Sequence, residues 1–175
     1  MNALWQRLDQ PGMDHAWCSE RVFGGRWVTL DPNGPSSGEY RFTLDDRWGV
    51  TQALVDWVNG TGQCSTLAMA DGQWRAEGSV VLRTTATAVD LSETPATNTL
   101  AIRQLNLEVG QTQTLEVVYI RPHPFTCHVV AQTYSRLNVA HYRYQSGTFV
   151  SVLTVDNAGW VVSYPQLWTK LNTTP

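Results

Sequence analysis

Glu39-Tyr40-Arg41-Phe42-Thr43-Leu44-Asp45 alternates residue by residue between apolar and polar side chains. Tyr40, Phe42 and Leu44 fall on one face and Arg41, Thr43 and Asp45 on the other, which is the period-two pattern of a half-buried strand. Working outward, 49–58 continues the pattern. Val50, Leu54 and Val58 are expected on one side, Thr51, Val55 and Trp57 on the other. Residues 65–71 run into Asp71-Gly72 and return through Trp74-Arg75-Ala76, a hairpin signature. The run 79–91 is rich in Thr and Val, and 114–121, 126–137, 140–146 and 148–155 form a late series of strands. Asn157-Ala158-Gly159 then turns the chain into 160–164, which Pro165 ends. Toward the N-terminus, 16–23 and 26–31 flank Gly24-Gly25 and read as a hairpin, and Asp31-Pro32-Asn33-Gly34 reads as a tight turn. Only 98–108 has helical spacing, with Leu100, Gln104 and Leu107 in phase and Asn98 as a cap. Ala101, Arg103, Leu105 and Leu107 fit a strand equally well. Strands at such regular spacing predict a mainly β fold, a large antiparallel sheet curled into a roll or open barrel, with at most one or two short helices.

The 175 residues suit a single domain over 1–175 with a proper core. Charge excludes some functions. The net charge is -3 and Lys170 is the sole lysine, so there is no basic stripe to neutralise phosphates and nucleic acid is not an expected partner. The opening MNALWQRLDQPG has no basic start and no apolar core of a secretory signal, and no window reaches the ~20 apolar residues of a membrane span. A cytoplasmic protein without a transmembrane segment is expected. Cys18, Cys64 and Cys127 are odd in number and widely spaced, so packed, reduced thiols are expected, with no metal and no cofactor. Cys127 and His128 are neighbours on a strand and point to opposite faces. The eight tryptophans can supply a large share of the core.

Two clusters are candidates for ligand contact. The first is the polar loop 90–99 with Asp90, Thr94, Thr97, Asn98 and Thr99, followed by Arg103. Short hydroxyl and amide side chains there either line a cavity mouth or satisfy their own backbone. Arg103 suits an anionic headgroup, with Asp90 as its partner in the empty site. The second is Gln132, Tyr134, Tyr142, Arg143 and Tyr144. If 126–137 pairs with 140–146, the tyrosines share a wall, and their apolar bodies with polar tips suit an amphiphile. Ordinary sheet packing explains them as well. Asp45-Asp46 invites an acid/base reading, but a turn accounts for adjacent carboxylates. There is no nucleophile elbow, no phosphate-binding glycine loop and no paired histidine motif.

These residues carry a resemblance. Val89-Asp90-Leu91, the run from Thr94-Pro95-Ala96-Thr97-Asn98-Thr99 to Arg103-Gln104-Leu105, Gln132-Thr133-Tyr134, Tyr142-Arg143-Tyr144, Val155-Asp156-Asn157-Ala158-Gly159 and Tyr164-Pro165 together resemble the bacterial protein family named "putative glycolipid-binding". Tyr40, Asp45, Trp48 and Asp71-Gly72-Gln73-Trp74 extend the likeness into the first half. The chain departs from that pattern at Ala96, Ala101 and Gln104, where the family has phenylalanine, proline and arginine. The resemblance implies a spiral β-roll, distantly like bacterial lipoprotein carriers, and an amphiphilic small-molecule partner such as a glycolipid or a long-chain acyl ligand. Non-catalytic binding in an apolar cavity with a polar mouth is therefore expected. An enzyme acting on a sugar or lipid through Asp90 or Asp45, and an assembly subunit with a filled core, are the alternatives. Thiol titration of unreduced, denatured protein is expected to find all three cysteines free; a shortfall, or stoichiometric zinc, would contradict this reading.

Overall fold

A computed structural model describes residues 1–31 and 34–171. It is mainly β, with fifteen strands in one sheet and a single helix. The strands are β1 Asn2–Arg7, β2 Gly12–Ser19, β3 Val22–Asp31, β4 Gly34–Leu44, β5 Val50–Val58, β6 Cys64–Ala70, β7 Gln73–Ala76 and β8 Ser79–Arg83 in the first half. The second half holds β9 Ala88–Leu91, β10 Thr112–Arg121, β11 Thr126–Arg136, β12 His141–Ser146, β13 Phe149–Val155, β14 Val161–Tyr164 and β15 Trp168–Lys170, with α1 Ala96–Leu105 between β9 and β10.

The sheet order is β8-β7-β6-β5-β4-β3-β2-β1-β15-β14-β13-β12-β11-β10-β9. The chain thus begins at mid-sheet, meanders to one edge, jumps to the other edge and meanders back. All pairs are antiparallel except β9 with β10. A parallel pair needs a crossover of a dozen or more residues, and α1 lies within that crossover. This accounts for the one helix in a chain otherwise patterned for strands. The jump is short, because residues 84–87 alone separate β8 from β9. They span at most about 18 Å, whereas fourteen strand spacings laid flat would be about 67 Å wide. The sheet must therefore curl until its edges approach. β8 reaches β11 across the gap, and Trp57 stacks on Phe125 with ring centroids 5.6 Å apart. The edges do not pair, so the sheet is a curled roll and not a closed barrel.

α1 lies inside the curl. Ala96 through Ile102 are all buried, as expected of a helix surrounded on every side. It packs on β9 and β14. Expected to be capped by Asn98, the helix instead starts at Ala96 behind Pro95, which carries helical φ and ψ of -80° and -8° and makes no side-chain cap. Proline is pre-set for a helix start, and Thr94 Oγ1 accepts the Ala96 N–H at 2.9 Å. The rest of the interior is aromatic. Rings run from Trp27 through Tyr40 and Phe23 to Trp160 and Trp5, at centroid spacings of 5.4–6.5 Å, and the Trp5 indole donates to the Val161 carbonyl at 2.6 Å.

Several strand readings need correction. Gly24-Gly25 is not a turn: both glycines lie in mid-β3, and the hairpin turns at Glu20-Arg21. A Cβ on Gly24 would press on the Trp17 ring, and one on Gly25 would meet the Tyr40 hydroxyl, so these glycines admit rings and do not reverse the chain. In β5 the inward residues are Val50, Ala53, Val55 and Trp57, while Leu54 and Val58 are exposed. A bulge opposite Thr43/Leu44 shifts the phase after Val50. The run 79–91 divides into β8 and β9, at opposite edges. β1 and β15, which join the two halves, were not anticipated. The proposed turn 31–34 has Pro32 and Asn33 outside the described residues. Asp71-Gly72 is a two-residue turn with φ of 50° and 69°, as read, and Glu77-Gly78 repeats it at 49° and 79°. Cys18 is buried, Cys127 partly buried and Cys64 exposed, so packing accounts for only part of the cysteine reading.

Gly38 faces Trp27 across β3 and β4. An added Cβ there would overlap the Trp27 ring and lie 2.5 Å from the Asp56 carbonyl oxygen in β5. Gly38→Ala is expected to destabilise the fold by about 1–3 kcal/mol, the range of an overpacked core, read as a lower urea midpoint at unchanged m. An unaltered midpoint would show that this strand triplet has slack.

Candidate functional site

Two cavities lie near the two ends of α1. The first, of about 430 Å³, is lined by Asp90, Thr94, Asn98 and Tyr144 together with Tyr119, His128, Phe149, Tyr164 and Trp168. Asp90 sits at its polar wall. Gln132 Nε2 donates to Asp90 Oδ2 at 2.6 Å, Thr97 Oγ1 to Oδ1 at 3.2 Å and the Tyr144 hydroxyl to Oδ2 at 3.5 Å. The network continues behind the wall, where the Asn98 amide donates to the Tyr134 hydroxyl at 2.9 Å and that hydroxyl to Gln132 Oε1 at 3.4 Å. Burial raises the Asp90 carboxyl above its ordinary range despite these three donors. It also holds the Tyr134 hydroxyl well above its usual value, reinforced by the Asp90 charge. The rest of the lining is largely aromatic: Tyr144, Phe149 and Tyr164 meet pairwise at 6.1–6.2 Å, with Tyr134 behind, 5.2 Å from Tyr144.

Strand pairing builds this place. β11 and β12 pair with Tyr134 opposite Tyr144, so the expected tyrosine wall exists. Asp90, Thr94, Asn98 and Tyr144 line one cavity, and Thr97, Gln132 and Tyr134 stand behind them, joined by hydrogen bonds to Asp90 and Asn98. The other predicted residues do not join them. Thr99 is fully buried and its hydroxyl has no partner among the described residues. Arg143 alternates to the face opposite Tyr142 and Tyr144. Tyr142 and Arg103 line the second cavity. Nor does Arg103 pair with Asp90. Its Nε donates to the Ala158 carbonyl at 3.1 Å, and its guanidinium lies 4.2 Å over the Trp48 ring with Trp160 at 5.7 Å. Two tryptophans and a turn carbonyl hold the side chain away from the strand that carries Asp90. Asp45 is a turn residue, its Oδ1 accepting the Arg47 and Gly49 N–H groups at 2.8 Å each.

Sequence reasoning missed Tyr119, His128, Phe149, Tyr164 and Trp168 as cavity residues, and it missed Asp14. Asp14 is fully buried on β2. Its signal was phase, since it alternates inward with Ala16 and Cys18. Thr94 Oγ1 donates to Asp14 Oδ2 at 2.6 Å and the Tyr40 hydroxyl approaches at 3.3 Å. Burial pushes the Asp14 carboxyl up to about 8. Thr94 lines the cavity, so Asp14 anchors from behind the loop that shapes its mouth.

Native Asp14 holds its proton up to about pH 8, while the unfolded chain releases it near the ordinary 3.8. The native state therefore binds more protons between these values, and unfolding free energy falls as pH rises through that window. Asp14→Asn is expected to flatten this decline, so that the variant gains on the wild type between about pH 5 and pH 8. Urea titrations at both pH values measure the gain; parallel pH profiles for the two proteins would show that Asp14 does not carry it.

None of the curated proteins matches the chain. Among solved structures, the crystal structure of a DUF1089 family protein from Pseudomonas aeruginosa superimposes with a TM-score of 0.79 at 28% identity, covering 91% of this chain and 92% of that one. No helix among the described residues is long and apolar enough to cross a membrane. The sequence pattern of the family described as "Putative glycolipid-binding" matches residues 2–170, and the chain belongs to that family.

Proposed function

We propose that this protein binds a lipid-like amphiphile without chemical turnover, in the cavity between Asp90 and the rings of β12–β14. One observation carries the reading: a single cavity is lined by a run of aromatic rings and by Asp90, whose carboxylate is already engaged by Gln132, Thr97 and Tyr144. A volume of about 430 Å³ is in the range of small-molecule sites, roughly 300–1,000 Å³. Apolar rings contribute affinity by excluding water, and a few fixed polar groups orient a headgroup. The family's description supports a glycolipid as that amphiphile.

The raised Asp90 carboxyl favours a second reading, an enzyme using that group as a general acid on a sugar or lipid. Against it, three donors already engage Asp90, which holds a carboxylate in place and leaves little capacity for a reacting proton.

Val130 lines the cavity from β11 and has no part in the polar network. Val130→Trp is expected to fill the site while leaving the fold intact. A long-chain alkyl glycoside below its micelle concentration, at about a hundred times its dissociation constant, stabilises the wild type by roughly 2.7 kcal/mol. The melting temperature then rises by about 5–10 °C. The variant is expected to lose most of this shift. An equal shift in both proteins moves the ligand elsewhere, and release of free sugar or fatty acid, abolished by Asp90→Asn, would install the enzyme reading.

A further inference from the structure

The cavity at the C-terminal end of α1, of about 700 Å³, has a different chemistry. Its wall holds three guanidinium groups from three elements: Arg47 in the β4–β5 turn, Arg103 on α1 and Arg136 at the end of β11. Among the described residues none of the three is ion-paired with a carboxylate. Two carboxylates also line the wall, Asp46 and Asp156, but each already has a cation of its own. Asp46 pairs with Arg21, and Asp156 with Lys170 at 2.6 Å. Asp45, in the same turn as Arg47, directs its carboxylate at backbone N–H groups. The partial negative charge of a helix C-terminus, about half a unit, and the carbonyls of Ala158 and Leu107 account for some of the attraction. They do not balance three positive charges.

Two further features fall in the same wall. Of the six buried side-chain polar atoms without a partner among the described residues, three belong here: Arg103 Nη1, Arg136 Nε and Gln104 Oε1. Native proteins leave few such atoms, because each loses its hydration without a hydrogen bond to offset it. Trp48, whose ring packs on Arg103, holds φ of 68°, a conformation a bulky residue adopts only when its surroundings enforce it. Trp48 and Trp160 fix the Arg103 guanidinium in place before any ligand arrives.

We propose that this cavity is an anion site that takes a phosphate group carried on an organic body. Guanidinium is matched to phosphate oxygens, and the volume exceeds what a bare phosphate fills. Arg47 and Arg136 meet the oxygens, and Arg103 supplies fixed charge behind them. The site is separate from the Asp90 cavity and does not depend on the amphiphile reading.

The test uses the full chain, with amide and indole resonances followed by two-dimensional NMR. Three probes are compared: inorganic phosphate, glycerol 3-phosphate, and phosphatidylglycerol vesicles read by co-sedimentation. Glycerol 3-phosphate is expected to shift the Trp48 indole and the amides of 156–159, with affinity falling as salt rises. Arg47→Gln, at an exposed turn position, is expected to weaken binding about tenfold, the effect of losing one charged hydrogen-bonding group. Stronger binding of vesicles than of glycerol 3-phosphate, reduced by the same variant, assigns the phosphate to a lipid headgroup. Stronger binding of glycerol 3-phosphate assigns it to a soluble ester. Shifts confined to the Asp90 cavity, no shifts with any probe at millimolar concentration, or equal affinity in wild type and Arg47→Gln would overturn the proposal. Each of those results leaves the amphiphile reading to its own experiment.

Discussion

The four residues between β8 and β9 govern the shape of this molecule. They tie together the two edges of a fifteen-stranded sheet, so a surface that would lie open must bend until its ends nearly meet. The seam is held by a ring stack and a backbone bond: Trp57 stacks on Phe125 from across the gap, and the Val50 N–H donates to the Thr87 carbonyl at 2.8 Å. The same jump delivers β9 to the far edge in the direction that pairs it parallel to β10. A parallel pair requires a crossover, and α1 is that crossover folded into the interior. Curl, helix and helix burial are thus one constraint expressed three times.

Putting a helix inside a β roll brings polar groups into the core, and each needs a partner to offset its lost hydration. The loop before α1 and the first turn of the helix supply them. Thr94 reaches Asp14 on β2, in the first half of the sheet, and Thr97 reaches Asp90 on β9, in the second. Arg7 adds a bond to Glu93 at 2.7 Å. A loop of short polar residues that in isolation would satisfy its own backbone here joins the two halves of the roll. The Thr94 hydroxyl serves both ends of this arrangement, donating to Asp14 while it accepts the Ala96 N–H at the helix start.

How much of this was legible in the sequence depended on range. Period-two alternation placed most strands, because that pattern records burial on one face and needs no partner to be known. It failed in β5, where a bulge displaced the phase, and at Gly24-Gly25, where glycine marks a ring lying over the strand. Those signals belong to β4 and to Tyr40, remote from the residues that carry them. The tyrosine wall was legible because β11 and β12 are consecutive and pair by a short turn. The association of Arg103 with Asp90 was not a sound inference from nearness in sequence. One residue is on a strand and the other at the far end of a buried helix, where Trp48 and Trp160 outcompete a distant carboxylate for its guanidinium. Asp14 was visible as a charged residue in an inward phase, but its partners lie twenty-six and eighty positions away.

The two cavities stand in different relations to the seam, and this separates their roles. Asp90, Tyr119, His128, Tyr144, Phe149, Tyr164 and Trp168 come from β9 through β15, strands that are neighbours in the sheet. Their arrangement follows from the curvature of one continuous, hydrogen-bonded surface, so the spacing of the rings is fixed by strand register. The arginine-lined cavity instead gathers a turn of the first half, the end of α1, the end of β11 and the turn 156–159. Its geometry depends on how the halves meet. A ligand filling the first cavity meets a preformed wall and pays little to order it, whereas one binding the second bridges elements held together mainly by side chains. By linkage, occupancy there stabilises the fold by an amount set by the affinity of the ligand, and the contacts it makes fall on both halves of the roll.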